Sequence, residues 1–524
     1  MSMSNPPATP TPQLDCLLLN VHAYAGERRN ATTTSGFTRK HQIIEVSLCP
    51  ARPPLPSDVF VRCPEIRFTV LPRVVRAVED LFLLRVAIDC EPDCISSPDD
   101  SDYFVYRAGC VGTKRDLERL SHPVPFSHDD DVGLLSRGDH YTVAALIASG
   151  TLDVFDLHLF HSESKAWIYR KVSVGEPQRA FPLVIPENCQ RLLYHDTSTV
   201  ITIGGEGGTM GWVDLWRGIF FCDVLCDKPM LRGVPLPFPV ELVSCNNGRG
   251  AKLGCPKLVR GIAFIKRGTD DNADDCLKLV HLEANATCLP GTDDETGYPF
   301  FFMNSWAIVT WSNTKMTSSW KDWHMDCRVQ ASDITMDSQI KSKLLQFGLL
   351  PARDDATAVL GLQNLLISDP APDISAADGD VVYLMARRKF MHSKACVLTI
   401  DLRNYALVDV AEFDTERQPG VPALYFPSTI SKYMNVETSQ LFDFVISVWM
   451  LLHFIWSLIE YKRSVLMLTS SYKIQRKRLW PKEDEDLLMP KDTKISPQDE
   501  DLLMPKDTKI SQETHLVWSL LESL

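Results

Sequence analysis

The chain has 524 residues and a formal net charge of −13, a length that fits two or three ordinary domains or one large repetitive domain with a tail. Hydrophobic residues make up 45% of it and charged residues 23%, a balance that favours a globular protein with a sizeable core over a disordered one. Because the whole chain is acidic, it repels phosphate backbones and anionic lipid surfaces, and we expect no nucleic-acid partner.

The N-terminal segment and the cysteines predict a cytoplasmic or nuclear protein. Residues 1–12 are rich in Pro, Ser and Thr and predict a disordered N-terminus, and the apolar run at 17–19 is too short for a signal peptide. The 15 cysteines form an odd set without the dense spacing of a secreted disulfide scaffold. We therefore expect reduced cysteines that are mostly buried.

Residues 13–435 predict one β-rich domain. Its early part alternates short apolar segments with loops such as ARPPLPSD, which indicates strands with long connections. In residues 140–174, three strand-like runs joined by Ser-Gly and by HSESK predict consecutive antiparallel strands. Similar runs continue to residue 413, and only residues 337–347 and 356–367 have the apolar spacing of a helix.

These elements predict a mainly β fold, either propeller-like or a repeated antiparallel β-meander, with few helices and a C-terminal tail that is helical or disordered. A propeller avoids exposed sheet edges by arranging its blades around an axis. Kelch blades take about 50 residues, so residues 13–435 have room for about six to eight of them. No clean internal period marks their boundaries.

The glycine-rich run GGEGGTMG, with five glycines between Gly204 and Gly211, raises the question of a phosphate-binding loop. A Walker loop requires Lys and then Ser or Thr after its last glycine, but Trp212 and Val213 follow here. The dinucleotide pattern fails because Met210 replaces its third glycine, and no helix follows to receive a phosphate. A glycine-rich turn between strands is the better interpretation, and no cofactor is predicted.

The next run, GWVDLWRGIFFCDVL, predicts two strands of the core. Alternation places Trp212, Asp214 and Trp216 on one strand face, and Arg217-Gly218 predicts the hairpin turn. The tryptophans are large enough to serve as buried packing residues.

The acidic residues of the same run predict turn contacts. We expect Asp214 and Asp223 to cap turns or to pair with Arg217 and Arg232. The segment PLPFP at 235–239 then ends the strand pairing, because proline cannot donate to a sheet ladder.

The run STVITIGGEGGTMGWVDLWRGIFFCDVL followed by LRGVPLPFP resembles the signature of a plant (grass) family known as domain of unknown function 1618. SHDDDVGLLSRGDHYTVAAL, ELVSCNNGRG, SSWKDWHMDC and DGDVVYLMA resemble the same family, so that the likeness extends over residues 13–435. The signature lies at about 198–239 and its residues have structural roles: Gly204, Gly205, Gly207, Gly208, Gly211, Trp212, Asp214, Trp216, Arg217, Gly218, Asp223, Pro235 and Pro237.

The resemblance implies a plant origin and a β-rich domain. It implies no activity, so no catalytic, cofactor-binding or metal-binding residue is carried over. A weaker similarity, in which a strand and a turn precede PLP, links the chain to the kelch-like propellers that follow F-box motifs, but no F-box precedes it here.

Two groups of residues are candidates for an enzyme pocket built from dispersed loops. The first is His128 with Asp129 and Asp131, for which a solvated loop is the competing interpretation. The second is the aromatic group from Trp306 to His324, for which core packing is the alternative. No G-x-S-x-G or H-E-x-x-H motif is present. Two pairs of cysteines are separated by three residues, Cys90 with Cys94 and Cys222 with Cys226, but neither has a nearby second pair of Cys or His at zinc-finger spacing.

The C-terminal tail differs from the rest of the chain. Leu441 to Tyr461 is mostly apolar over 21 residues, about 31 Å as a helix, which is enough to cross a bilayer. The basic residues that follow it would keep that side cytosolic and translocate the large domain, which conflicts with the missing signal peptide. Residues 462–524 predict a basic and then disordered tail, in which DEDLLMPKDTKIS occurs at 484–496 and again at 499–511.

The sequence therefore favours a non-enzymatic protein-interaction module whose protein partner is unknown. The alternatives are an enzyme with a dispersed pocket and a form anchored in a membrane through Leu441 to Tyr461. A lineage-specific or gene-model origin of residues 441–524 is a further hypothesis.

Overall fold

The computed structural model describes ten stretches of the chain. They are residues 15–88, 98–109, 115–151, 153–175, 195–237, 256–267, 274–350, 361–375, 380–413 and 424–434. All of them belong to the first of two compact units, Met1–Asp443. The predicted disordered N-terminus, the apolar segment at 441–461 and the tail at 462–524 lie outside the described residues.

The described residues form six β-sheets, which are the blades of a six-bladed propeller. Blade 1 contains β1 (Leu17–Asn20), β2 (Tyr24–Ala25), β3 (Thr34–Phe37), β4 (Ile43–Cys49), β5 (Pro56–Arg62) and β26 (Tyr425–Ser428). Blade 2 contains β6 (Arg73–Val78), β7 (Leu81–Ala87), β8 (Ser101–Arg107) and β9 (Asp116–Arg119). Blade 3 contains β10 (Val132–Arg137), β11 (His140–Thr151), β12 (Val154–His161) and β13 (Ala166–Ser173).

The remaining three blades have the same four-stranded antiparallel form. Blade 4 contains β14 (Thr199–Gly204), β15 (Thr209–Asp214), β16 (Gly218–Asp223) and β17 (Arg232–Pro235). Blade 5 contains β18 (Arg260–Ile265), β19 (Cys276–Thr292), β20 (Pro299–Asn313) and β21 (His324–Gln330). Blade 6 contains β22 (Leu366–Pro372), β23 (Val381–Arg387), β24 (Ala395–Asp401) and β25 (Ala406–Phe413). The predicted mainly β, propeller-like fold is confirmed.

Blade 1 joins the two ends of the described chain. Strand β26 pairs antiparallel with β1, with Leu17 opposite Ser428, and β1 in turn pairs parallel with β5. The innermost strand of this blade therefore comes from the C-terminal side, whereas the other strands come from the N-terminal side. Separating these ends would open the ring and expose the unpaired edge of β1.

In the described part of the chain the core is divided into six apolar clusters, one between each two neighbouring blades. The middle strands are consequently buried on both faces, as in β8, where all seven residues are buried. Phe104 of β8 packs between blades 1 and 2, and its neighbour Tyr103 packs between blades 2 and 3. This two-sided burial explains why middle strands such as β7, LFLLRVA, and β23, VVYLMAR, are almost entirely apolar in sequence.

The predicted meander at 140–174 is confirmed, because β11, β12 and β13 pair consecutively and antiparallel. The helix predicted at 337–347 is also confirmed as α1 (Ser338–Gln346), whose first turn is capped by Asp337 accepting from the Ile340 amide at 2.7 Å. Buried Ile340 and Leu344 fix α1 against blades 5 and 6.

The second predicted helix, at 356–367, is wrong in its described part. Leu362–Asn364 is a single 3-10 turn, and strand β22 begins at Leu366. Ile367 lies in the core between blades 5 and 6, and pairing with β23 outweighs the helical spacing of the apolar residues. Among the described residues, no helix has the length and apolar character needed to span a bilayer.

Candidate functional site

The inner strands of all six blades surround a central cavity of about 520 Å³. Its wall is formed by β6, β10, β14, β18, β22 and β26 together with the loops that precede or follow them. Part of the wall is apolar, including Ile203, Ile262 and Phe264. A cavity of this volume at the axis of the fold is in the usual size range of small-molecule sites.

The charged side chains of this wall have the opposite balance from the whole protein. Among the described residues that line it, seven are basic and three are acidic, an excess of four positive charges in a chain whose net charge is −13. The basic residues are Arg73, Arg76, Arg137, Lys257, Arg260, Lys266 and Lys432, and the acidic ones are Glu79, Asp130 and Asp369. A concave wall of one sign concentrates ions of the other.

Two ion pairs connect blades that are not neighbours in the ring. Lys257 Nζ lies 2.7 Å from Asp130 Oδ2, and these residues precede the inner strands of blades 5 and 3. Lys266 Nζ lies 3.1 Å from Glu79 Oε1, and these residues follow the inner strands of blades 5 and 2. All four side chains are at least a third exposed, so each pair contributes at most about 1 kcal/mol.

Arg76 is a basic residue of the wall whose hydrogen bonds are incomplete. Its guanidinium donates to the carbonyl oxygens of Val75 at 2.8 Å and Asp130 at 2.9 Å. Its buried Nε atom has no hydrogen-bond partner among the described residues. Burial lowers the pKa of Arg76, while the nearby carboxylates of Asp130 and Asp129 raise it.

Arg260 connects the cavity wall to the signature hairpin. The side chain is buried and donates from Nη1 to the carbonyl oxygen of Leu215 at 2.6 Å. Its guanidinium carbon lies 4.7 Å from the centre of the Trp216 ring, a cation–π contact. Burial lowers the pKa of Arg260 to about 9, against the attraction of Asp214, so the group is charged at neutral pH.

Asp214 organises the turn between β15 and β16. One carboxylate oxygen accepts the amides of Trp216 at 2.8 Å and Arg217 at 3.3 Å, and the other accepts the Asp196 amide at 3.0 Å and pairs with the Arg217 guanidinium. The expected cap and the pairing with Arg217 are both present. The turn consists of residues 215–217, so the predicted hairpin is present and includes Arg217. Its predicted position is wrong, because Gly218 already pairs with Asp214 and Trp216 lies in the turn and not on the strand. Because the Asp214 carboxylate accepts the amides of Trp216 and Arg217, the turn begins directly after Asp214.

The glycines of the signature form a tight hairpin connection between β14 and β15. Gly205 and Gly208 have φ angles of +76° and +62°, and the Gly208 amide donates to the Gly205 carbonyl at 3.1 Å. Gly211 lies within β15, where a Cβ atom would approach Phe221 Cε1 to 2.6 Å. The interpretation of the run Gly204, Gly205, Gly207, Gly208 as a turn between strands agrees with this geometry.

Both tryptophans of the signature are core residues. Trp212 is fully buried between blades 3 and 4 and donates from its indole to the Asp131 carbonyl at 2.8 Å, and Trp216 is also buried. The second acidic residue behaves differently from Asp214. Asp223 is exposed and accepts from the Thr209 hydroxyl at 2.6 Å, while Arg232 donates to the Met316 carbonyl, so the expected Asp223–Arg232 contact is replaced.

The end of the signature also lies in blade 4. Pro235 is the last residue of β17, the outermost strand, and pairs with Gly218. Its carbonyl accepts the indole of Trp323 in blade 5 at 2.8 Å. Pro237 follows two residues after the strand, so the pairing ends where the prolines begin.

His195 is a buried residue that sequence reasoning missed. Its ring lies 4.4 Å from that of Phe220, and neither ring nitrogen has a hydrogen-bond partner among the described residues. Burial lowers its pKa to about 4, with Arg217 acting in the same direction and Asp214 against it. The local sequence RLLYHDTS carries no motif that marks it.

The first enzyme candidate has structural contacts. Asp129, whose side chain is 9% exposed, accepts from the Tyr103 hydroxyl at 2.8 Å and lies 3.0 Å from Arg85. The interpretation of this acidic run as a solvated loop is therefore wrong for Asp129. Burial raises the pKa of Asp131 to about 6, and its carbonyl holds Trp212, while His128 is exposed.

The second enzyme candidate does not form one groove. Trp306 packs between blades 5 and 6 and donates to the Leu362 carbonyl at 2.8 Å, whereas Trp323 packs between blades 4 and 5. Trp320 is 54% exposed, and His324 is exposed as well. Core packing accounts for the buried members. Among the described residues, no three Cys, His, Asp or Glu side chains are grouped as a metal site.

Blade 5 has a long hairpin, residues 283–305, which extends beyond the blade and which we call the arm. Strands β19 and β20 continue to pair beyond the ends of β18 and β21, as far as Thr292 opposite Pro299. One face of the arm rests on blade 6, where Phe301 lies 4.9 Å from Phe390 between ring centres. On the arm, Leu289, Phe300 and Phe302 are 42–43% exposed.

Comparison with protein-family models places part of this chain in a known family. A family model described as "Protein of unknown function (DUF1618)" matches residues 212–383. The family resemblance is confirmed. The match covers about a third of the chain and runs from Trp212 in β15 to Tyr383 in β23, so it includes the arm. No curated protein matches the chain.

Proposed function

We propose that this DUF1618-like propeller is a protein-interaction module and that the arm is its main contact surface. The observation that carries the proposal is the row of half-exposed apolar side chains at Leu289, Phe300 and Phe302 on a hairpin that extends beyond its blade. Aromatic residues grouped on a supported surface are typical of contact hot spots.

The arm is held in a defined position, which favours binding. Asn364 donates to the Met303 carbonyl at 2.9 Å, and Lys389 of blade 6 contacts Asp293 at 2.9 Å and Glu295 at 2.8 Å. A two-stranded hairpin alone is marginally stable in water, so these contacts with blade 6 supply its support. A fixed arm loses little conformational freedom when a partner binds.

Burial of the apolar side chains of the arm supplies enough free energy for a specific contact. Phe300 and Phe302 are each 42% exposed, which corresponds to roughly 80 Å² per ring for a side chain of about 200 Å². Covering that area contributes at most about 2 kcal/mol per ring. The two rings and Leu289 together therefore supply a contact centre of several kcal/mol, which a polar rim would complete.

The edge of β19 on the β18 side adds a second means of contact, beyond the point where β18 ends. Strand β18 pairs with β19 only as far as His281, and within the described residues no strand pairs with this edge along residues 283–292. An extended peptide with alternating apolar side chains could add to such an edge. A partner with an extended apolar segment fits both the edge and the aromatic face.

Affinity capture with matched variants tests the proposal. The full tagged chain, a Phe300→Ser, Phe302→Ser variant and a Phe37→Ser variant are compared in plant lysate by mass spectrometry. Phe37 is 61% exposed on β3, the outer strand of blade 1, and so controls for the loss of surface apolar area. We expect one near-stoichiometric partner that the arm variant loses and the control retains. Equal capture by all three chains, or no retained partner, contradicts the proposal.

A further inference from the structure

We propose that the central cavity binds a small organic anion, a molecule with a phosphate or carboxylate group on an apolar body. The site is separate from the arm, and its ligand would be a small molecule and not the protein partner. The cavity of about 520 Å³ accommodates such a ligand in volume.

The charge of the wall selects the sign of the ligand. Seven basic side chains face three acidic ones in the wall of this otherwise acidic protein. Carboxylates outside the wall balance part of this excess, since Arg137 pairs with Glu163 at 2.6 Å and Arg73 lies 3.6 Å from Asp129. The remaining like charges repel one another in a partly desolvated space. A bound anion would relieve that repulsion, and the ligand would then stabilise the fold.

Arg76, Lys257 and Arg260 define the position of the anionic group. Arg76 contacts the backbone carbonyl of Asp130 at 2.9 Å and Lys257 contacts its carboxylate at 2.7 Å, so both cations are grouped around this one residue of the wall. Arg260 begins the inner strand three residues after Lys257 and lines the same wall. The buried Nε of Arg76 has no hydrogen-bond partner in the described part of the chain.

The anionic group of a ligand would compete with the carboxylate of Asp130 for Lys257. The Asp130 side chain is 35% exposed and bonded to Lys257, a contact weak enough to be exchanged for a ligand oxyanion. Guanidinium groups bind carboxylate and phosphate through paired hydrogen bonds. The apolar wall residues Ile203, Ile262 and Phe264 would then contact the body of the ligand. A site with both cationic and apolar residues would bind an organic anion more tightly than an inorganic ion, which has no apolar body.

The test uses the purified full chain and four probes, phenyl phosphate, benzoate, phenol and inorganic phosphate, measured by titration calorimetry at 0.15 M salt. We expect saturable binding of phenyl phosphate or benzoate that is at least tenfold tighter than that of phenol or inorganic phosphate. Binding of phenyl phosphate alone indicates a phosphate ligand, and binding of benzoate alone a carboxylate ligand. If no probe saturates, or if inorganic phosphate binds as well as phenyl phosphate, the proposal is overturned.

Matched variants locate the binding. Lys257→Gln and Arg76→Gln are expected to weaken it about tenfold or more, the usual value of a lost charge-assisted hydrogen bond. Lys321→Gln changes the net charge equally, but at an exposed residue outside the cavity wall, and should leave binding unchanged. Lys257 is 35% exposed, so its variant is expected to fold even if Arg76→Gln does not. An equal effect of Lys257→Gln and Lys321→Gln places the anion outside the cavity and overturns the proposal.

Discussion

Replacing Asp214 by alanine tests the role of the buried turn of the signature most severely. The side chains of Asp214 and Arg217 are each 1% exposed and form an ion pair. The substitution removes the carboxylate from a buried guanidinium and also removes the acceptor of the Trp216 amide at 2.8 Å and the Asp196 amide at 3.0 Å. Breaking a buried pair on one side costs about 3–5 kcal/mol, and we expect a loss in the free energy of unfolding of that size.

Asp223 is the matched control for this change. It ends β16 as Asp214 ends β15, but it is exposed, and its side chain accepts from the Thr209 hydroxyl at 2.6 Å. Asp223→Ala should therefore cost only about 1 kcal/mol. A third variant, Asp214→Asn, keeps an oxygen for the turn amides and removes the charge, so its loss should lie between the other two.

The assay is urea unfolding of the full chain at pH 7, followed by tryptophan fluorescence, with free-energy differences taken from the midpoints and a common slope. The expected order of stability is wild type, then Asp223→Ala, then Asp214→Asn, then Asp214→Ala. Equal losses for the two alanine variants, or a loss below about 1 kcal/mol for Asp214→Ala, would refute the reasoning.

Three further predictions follow from burial and backbone geometry. Gly261→Ala places a Cβ atom 1.8 Å from the Pro370 carbonyl oxygen, so β18 must move away from β22 and we expect poor folding. The control Gly26→Ala places its Cβ atom in open space and should change the stability measured by thermal unfolding by less than about 1 kcal/mol. Trp212→Ala empties a fully buried site and should cost about 3–5 kcal/mol, while Trp320→Ala, at a residue 54% exposed, should stay within about 0.5 kcal/mol in urea unfolding. The pKa of His195 is lowered to about 4, so the unfolded chain binds the proton first, and the stabilisation present above pH 6.5 is lost as the pH falls toward 4. His195→Phe should reduce that pH dependence by up to about 3 kcal/mol, and an unchanged pH profile of unfolding would contradict the assignment.

Local sequence patterns were sufficient for much of the fold. The three strand-like runs in residues 140–174 and the turn residues between them were sufficient to predict the meander, because each hairpin pairs neighbouring segments of the chain. Middle strands such as β7, LFLLRVA, read as nearly continuous apolar runs because neighbouring blades cover both of their faces. The helix predicted at 356–367 failed where pairing between β22 and β23 decided the structure, which a short window of sequence does not contain.

Ring closure and the cavity could not be predicted in the same way. The pairing of Leu17 with Ser428 joins the two ends of the domain, and no local sequence pattern predicts it. The cavity cations come from four different inner strands or their flanking loops, and only the closed ring brings Arg76 and Lys257 to the same residue, Asp130. His195 was missed for a related reason, because its burial depends on Phe220 and Phe155, which are distant in sequence.

The arm was also invisible as a site in the sequence. Leu289, Phe300 and Phe302 read as ordinary strand residues, and their exposure follows from the lengths of β18 and β21, which end before the arm does. Exposed aromatic residues of this kind are informative only when neighbouring strands are known.

Photo-crosslinking from the arm tests the central claim most directly. A photoreactive amino acid replaces Phe302 in one full-length chain and Phe37 in another, and both are irradiated in intact plant cells before crosslinked peptides are identified. The proposed interaction predicts one dominant partner peptide attached at position 302, rich in apolar residues, and none enriched at position 37. The same partners at both positions, or no crosslink at 302 while the chain is folded, would contradict the arm as the contact surface.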